Sequence, residues 1–234
     1  MNVEGKKALV FGGTSGIGLA TVKRLTDLGA KAVAISRNPD RARDALPGIT
    51  LKACDVRDGD AVAALCKEYA PYDILVSAAT GGERATGPFL KMDMEGYKSS
   101  FAKLWGYANC VRFGAEHLAK DGSIVLVSGA PARRSRPGQI ALASVGGAVE
   151  AFVRGVAPEL APRRINVVSP GVINTPMFGP ASPERDAMAD KRSADHLIPR
   201  AGTADEVAQA ILFLIQNDFV TGTTVDVDGG WLLT

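Results

Sequence analysis

The sequence predicts an α/β protein, a parallel β-sheet covered by helices on both faces, in one domain over residues 1–234. Two observations predict it. Seven short aliphatic or β-branched runs alternate with stretches of helical periodicity, an order that calls for crossover helices and therefore parallel strands. At 234 residues, 46% hydrophobic and 22% charged, the chain is long enough to bury one full core.

The first run, KALVF at 7–11, leads straight into the glycine-rich GGTSGIG at 12–18. Gly12, Gly16 and Gly18 stand there in GxxxGxG spacing, with Thr14, Ser15 and Ile17 between them. Glycines where a strand turns into a helix let backbone N–H groups approach a phosphate at the positive helix end. KAVAIS at 31–36, ITLKA at 49–53 and YDILVS at 72–77 are the next three strands. Phe101, Leu104, Ala108, Val111, Ala115 and Leu118 recur at helical spacing and predict one long helix, its apolar stripe against the sheet or a partner subunit. SIVLVS at 123–128, RINVVS at 164–169 and TTVDV at 223–227 complete the strands. Between the fifth and sixth, Gly146 and Gly147 each lower helix propensity by roughly 1 kcal/mol relative to Ala and predict a close backbone approach. Residues 176–203, rich in Pro and charge, are too long for a plain connection and predict a lid.

Composition excludes several classes. Charges nearly cancel, 27 Lys+Arg against 25 Asp+Glu, so no global field draws the protein to nucleic acid or an anionic membrane. The three cysteines, Cys54, Cys66 and Cys110, show neither CxxC nor Cys/His spacing, so no metal site or disulfide framework is expected. The N-terminus holds no apolar signal segment, and no later apolar run approaches the roughly 20 residues of a membrane helix. A cytoplasmic protein is expected.

Four further stretches join the glycine turn: CDV at 54–56, ILVSAATG at 74–81, INVVSPGVINTP at 165–176 and FVTGTTVDVDGGW at 219–231. Together they resemble the short-chain dehydrogenase/reductase family over essentially the whole chain. The resemblance implies a doubly wound Rossmann fold, an oxidoreductase acting on a small-molecule substrate, and a homo-oligomer, dimer or tetramer. It also implies cofactor contacts at Asp55 and Val56, at Ala78, Ala79 and Thr80 in place of the family's Asn-Asn-Ala-Gly turn, and at Pro170, Gly171, Ile173 and Thr175. At the end of the second strand an NAD enzyme places an acid on the ribose hydroxyls. Here Ser36, Arg37 and Asn38 stand instead, a set that welcomes a 2′-phosphate and predicts NADP(H).

The family's proton donor is a Tyr, followed four residues later by a Lys and preceded by a Ser. Anchored on the flanking motifs, these positions fall on Leu142, Gly146 and Gly129. No shift of register rescues them, because no Tyr or Lys occurs between the fifth and sixth strands. Lys103, in KLWG at 103–106, occupies the family's Asn position, and a desolvated lysine there is a candidate proton donor or oxyanion partner. Ser128 is the second catalytic candidate. Arg133, Arg134 and Arg136 cluster where the family binds substrate and suit an anionic one, whereas neither His117 nor His196 has a useful partner. Two readings stay open: an atypical NADP(H)-dependent oxidoreductase, or a catalytically silent NADP(H)-binding sensor or regulatory subunit.

Overall fold

The structure is a computed structural model describing residues 1–80 and 84–234. The chain runs β1 (Lys7–Phe11), α1 (Gly16–Asp27), β2 (Lys31–Ser36), β3 (Thr50–Ala53), α2 (Gly59–Glu68), β4 (Tyr72–Ser77), α3 (Met94–Ser100) and α4 (Ala102–Gly114). It continues through β5 (Leu118–Val127), α5 (Ile140–Leu160), β6 (Arg164–Pro170), β7 (Ile173–Asn174), α6 (Pro183–Ser193), β8 (Gly202–Thr203), α7 (Ala204–Gln216) and β9 (Thr224–Val227). Seven strands pair in parallel in the order β3-β2-β1-β4-β5-β6-β9. All seven expected strands are present, with β5 beginning five residues before the expected SIVLVS run. A two-stranded ladder of β7 and β8 was not foreseen from the sequence.

Alternation along the strands divides the core in two. Leu9 and Phe11 of β1 join Leu75, Ile124 and Leu126 beneath α2, α4 and α5, where Leu65, Tyr107, Val149 and Val153 meet them. Ala8 and Val10 point the other way and join Ile74, Val76 and Val125 beneath α1 and α7, with Val22, Leu25, Ile211 and Ile215. Each such side chain, fully buried, contributes roughly 1.5–3 kcal/mol. A capping box starts α7: the Thr203 hydroxyl accepts from the Glu206 N–H, and Glu206 accepts from the Thr203 N–H.

Three expectations need correction. The long helix foreseen from Phe101 to Leu118 is shorter: α4 ends at Gly114, one 3₁₀ turn follows, and Leu118 already belongs to β5. Its buried face is Lys103, Gly106, Tyr107, Cys110, Val111 and Gly114, because Gly106 and Gly114 let the helix sit directly on Val56 and Leu75. Secondly, α5 is long and apolar enough, by length and composition, to cross a membrane, with a mean hydropathy of 1.5. Its Val145, Val149 and Val153 are instead buried in the fold. Thirdly, 176–203, expected only as a Pro- and charge-rich lid, holds a regular helix, α6, capped at Ser182 and opened by Pro183.

The chain leaves β1 toward β2 and β3 and returns at β4 on β1's other side, so the loops after β1 and β4 diverge. A crevice opens there at the carboxyl ends of the strands, the place where open α/β sheets bind ligands.

Candidate active site

One half of the crevice is backbone. Gly12 has φ +78°, and a Cβ on it would lie 2.7 Å from the Ala79 nitrogen and 2.8 Å from the Ala78 carbonyl carbon. A Cβ on Gly18 would stand 2.1 Å from the Gly12 oxygen. Only glycine allows these approaches, and they bring the turn after β1 against Ala78 and Ala79 after β4. Ser15 occupies the N-cap of α1 in extended conformation without using its hydroxyl as a cap, and the first turn holds no acid. The helix start is therefore open to an anion, with Thr14, Gly16 and Ile17 beside it. Thr175 closes the opposite wall, its Cβ 3.5 Å from the Cβ position of Gly16, with Pro170, Gly171 and Ile173 leading to it along the end of β6.

At the end of β2 the Ser36 hydroxyl is buried with no hydrogen-bond partner, while Arg37 and Asn38 are exposed. Asp55 accepts from the Arg57 backbone at 3.0 Å and from its guanidinium Nη2 at 2.6 Å. That contact first, and the Arg37 charge in addition, hold the Asp55 carboxyl below its usual range. Val56 is buried and its carbonyl accepts from Asn109 Nδ2 at 2.9 Å. Arg57 was missed from sequence, although the Asp-Val-Arg run offered it as a second base. A 2′-phosphorylated dinucleotide fits this half: an uncapped helix start, an orphaned hydroxyl and two arginines are what its phosphates need. Thr80 ends the described part of the β4 turn, and Gly81, the last residue of the matching stretch, lies outside the described residues.

The other half is made of side chains. Lys103 is only 9% exposed, and its Nζ donates to the Ser128 carbonyl at 3.1 Å and lies 5.5 Å from the centre of the Tyr107 ring. Burial first, then the neighbouring Arg84 charge, push its pKa down to about 7. Tyr107 donates to the Val127 carbonyl at 3.1 Å, and burial raises its own pKa. Arg84, absent from the sequence reading, is partly buried and directs Nη1 at Met177 Sδ, 3.1 Å away. The adjacent Ala85 amide is anchored on Ser100 Oγ at 2.9 Å.

Ser128 does not present its hydroxyl here. Strand alternation turns it toward α5, where it donates to Glu150 Oε1 at 3.1 Å, so Ser128 meets Lys103 through its carbonyl alone. The arginine loop is also committed elsewhere. Arg133 binds Asp226 and approaches Glu150 at 3.5 Å, Arg134 donates to the Trp231 carbonyl, and Arg136 pairs with Asp195 at 2.6 Å over the Trp231 ring. These contacts stitch the loop to α5, β9 and the segment after α6, and the expected free cationic cluster is absent. His196 is stacked on Trp231, and burial lowers its pKa. Leu142 is half-buried, and Gly146 faces Ala132, whose Cβ would stand 2.9 Å from a Cβ placed on it. Ser144 accepts from the Tyr97 hydroxyl. Among the described residues no group of His, Cys, Asp and Glu is arranged to hold a metal ion.

Comparison with known proteins covers nearly the whole chain. The family model described as enoyl-(acyl carrier protein) reductase matches residues 12–232. L-xylulose reductase of Bos taurus is 32% identical over 246 residues, 100% of this chain and 99% of its own. A short-chain dehydrogenase/reductase of Stachybotrys chlorohalonatus is 32% identical over 251 residues, 99% and 98% of the two chains. Among solved structures, a small-chain dehydrogenase in complex with NADPH superposes with a TM-score of 0.86 at 32% identity, over 99% of this chain and 100% of the other. A short chain dehydrogenase from Burkholderia cenocepacia in complex with NADP gives 0.86 at 28%, over 98% and 99%.

Proposed function

The chain belongs to the short-chain dehydrogenase/reductase family, and we propose that it is an atypical NADP(H)-dependent oxidoreductase moving hydride between cofactor and the carbonyl or alcohol carbon of a small molecule. Support for NADP(H) comes from Ser36 and Arg37 where an NAD enzyme would hold an acid, from Arg57 after β3, and from the relatives solved with NADPH and NADP. The glycine turn and the Ala78–Thr80 turn would cradle the pyrophosphate side, and Thr175 with the preceding Pro170–Ile173 segment the nicotinamide side. A bound nicotinamide supplies the hydride.

One observation carries the catalytic reading: the Lys103 amine is buried at the end of β5 and held on the Ser128 carbonyl, while the resemblance aligns Leu142 and Gly146 with the family's tyrosine and lysine. Hydride addition leaves negative charge on the carbonyl oxygen, and that charge needs a proton or a cation. With a pKa pushed down to about 7, Lys103 holds both forms at neutral pH, the condition for giving and regaining a proton. The Ser128 carbonyl aims one N–H, leaving two for substrate. Residues 176–203 act as the lid, tied to the site through Met177. The exposed Trp105 on α4 suits packing against a second copy in a homo-oligomer.

The test is NADPH oxidation against a panel of aldehydes and ketones. Lys103→Met should lower turnover of any substrate found by about 10²–10⁴-fold and leave NADPH affinity within twofold. A wild type that binds NADPH and reduces no carbonyl above background establishes the silent sensor, the reading favoured by Leu142 and Gly146, whose side chains can donate no proton.

A further inference from the structure

Lys103 and Arg84 place two cations in the carbonyl half, and the hydride chemistry above uses only one. Burying like charges together costs several kcal/mol unless something compensates them. Elsewhere the fold compensates its arginines. Buried Arg164 donates to the carbonyls of Leu214, Ile215 and Val220 and approaches Asp218, and Arg133 meets both Glu150 and Asp226. Arg84 meets a thioether, a weak acceptor, and Lys103 a single carbonyl. Among the described residues no carboxylate acts on either, and the charge acting on Lys103 is Arg84 itself. The loop bearing Arg84 then continues into one wall of a cleft of about 730 Å³, lined by Phe89, Tyr97, Pro137 and Ile140.

We infer that the substrate is an oxo acid with an apolar tail, its carboxylate seated on the Arg84 guanidinium, its carbonyl oxygen toward Lys103 and its tail in the Phe89–Ile140 cleft. This deepens the oxidoreductase reading and rests on it for the role of the carbonyl. Arg84 is then the residue that selects acids. A guanidinium offers a carboxylate two parallel N–H bonds, which a lysine or a neutral donor cannot reproduce. Anion binding also acts on Lys103. The charged or titratable groups acting on this amine or stacked against it are Arg84, from the loop after β4, and the Tyr107 phenol one turn along α4. Neutralising Arg84 removes the repulsion and raises the Lys103 pKa, so binding of the carboxylate draws a proton from solvent onto Lys103.

The experiment is calorimetric titration of the NADP⁺-saturated protein at pH 8 with phenylglyoxylate and with its uncharged methyl ester, in buffers of different ionisation enthalpy. The acid should bind at least tenfold tighter than the ester and take up a fraction of a proton. Arg84→Met should erase the preference and leave ester and NADP⁺ affinities within twofold. Arg84→Lys should keep part of the preference, which guards against a merely unfolded variant. Lys103→Met should abolish the proton uptake. Equal binding of acid and ester by the wild type overturns the inference, and so does an Arg84→Met variant that loses NADP⁺ affinity, since the guanidinium then serves the cofactor's phosphates. None of these readouts needs turnover. An acid that binds through Arg84 but is never reduced counts against hydride transfer alone, and an uncharged ketone reduced as well as its acid counterpart counts against this inference alone.

Discussion

The crevice ends of β1, β2 and β3 and those of β4, β5 and β6, both proposed to meet ligand charge, are built of different material. The first group uses backbone: an uncapped helix start and glycines at 12 and 18 that no other residue could replace. The second group uses side chains, a buried lysine and a partly buried arginine with no acid beside them among the described residues. Backbone sites cost little stability, because their N–H groups are orphaned by the helix start in any case. A buried uncompensated cation weighs against folding, and its retention is the mark of a group kept for chemistry.

The largest expected effect exposes that cost. The Lys103 pKa is depressed from 10.5 to about 7 in the folded chain. Between those values the unfolded chain holds a proton that the folded chain has released, so stability rises with pH across the window and is lowest below about pH 7. Lys103→Met removes the penalty. It should stabilise the protein by about 3–5 kcal/mol below pH 7, at 1.36 kcal/mol per unit, with the gain fading toward pH 10.5. Urea unfolding from pH 6 to 10 measures this. A variant no more stable than wild type at pH 6 would remove the contrast between the two halves.

The same contrast decides what the sequence disclosed. The backbone half was readable because glycine spacing after a β-run reports a close approach directly, as at Gly12 and Gly18. Ser36 and Arg37 were readable as the lack of an acid. Side chains in the other half depend on rotation about a helix or strand, which a one-residue change reverses. Lys103 fell on the buried face of α4 although the apolar stripe suggested a different one, since glycines at 106 and 114 rather than large residues set the contact. Ser128 turned to Glu150, a partner 22 residues away. The arginines at 133, 134 and 136 were spent on acids, a carbonyl and an aromatic ring from distant segments, while Arg84 acquired its place only when Ser100 and the Met177 segment folded against it. Partners so far apart in sequence leave no local signal.

The second effect sharpens the backbone half. Arg37→Ala should weaken NADPH binding roughly ten- to a hundredfold, the worth of one charge-assisted contact to phosphate, and leave NADH binding unchanged. Fluorescence titration with both cofactors checks it, and equal losses for both would show that Arg37 does not meet the 2′-phosphate.

The smallest effects lie at Gly146 and Gly129, which the resemblance aligns with two of the family's catalytic positions. Gly146→Ala gains about 1 kcal/mol of helix propensity but places a Cβ 2.9 Å from that of Ala132, an overpacking that costs about 1–3 kcal/mol. The net cost is about 0–2 kcal/mol, so melting should fall by at most about 8 °C, at roughly 2–4 °C per kcal/mol for a chain of this size. Gly129→Ser meets only Pro131 Cδ at 3.6 Å and the Pro170 oxygen at 3.8 Å, ordinary contacts, and should leave stability within about 0.5 kcal/mol. If Gly146→Ala melts above wild type and Gly129→Ser well below, the packing described at the end of β5 is wrong.

The central claim, that the carbonyl half runs on a buried lysine poised near neutrality, is tested most directly by titrating the protein with ¹³Cε-labelled lysine and following each side chain by NMR. One lysine resonance, the one missing from Lys103→Met, should titrate with a midpoint near 7. A Lys103 resonance that does not titrate until above pH 10 would contradict the account.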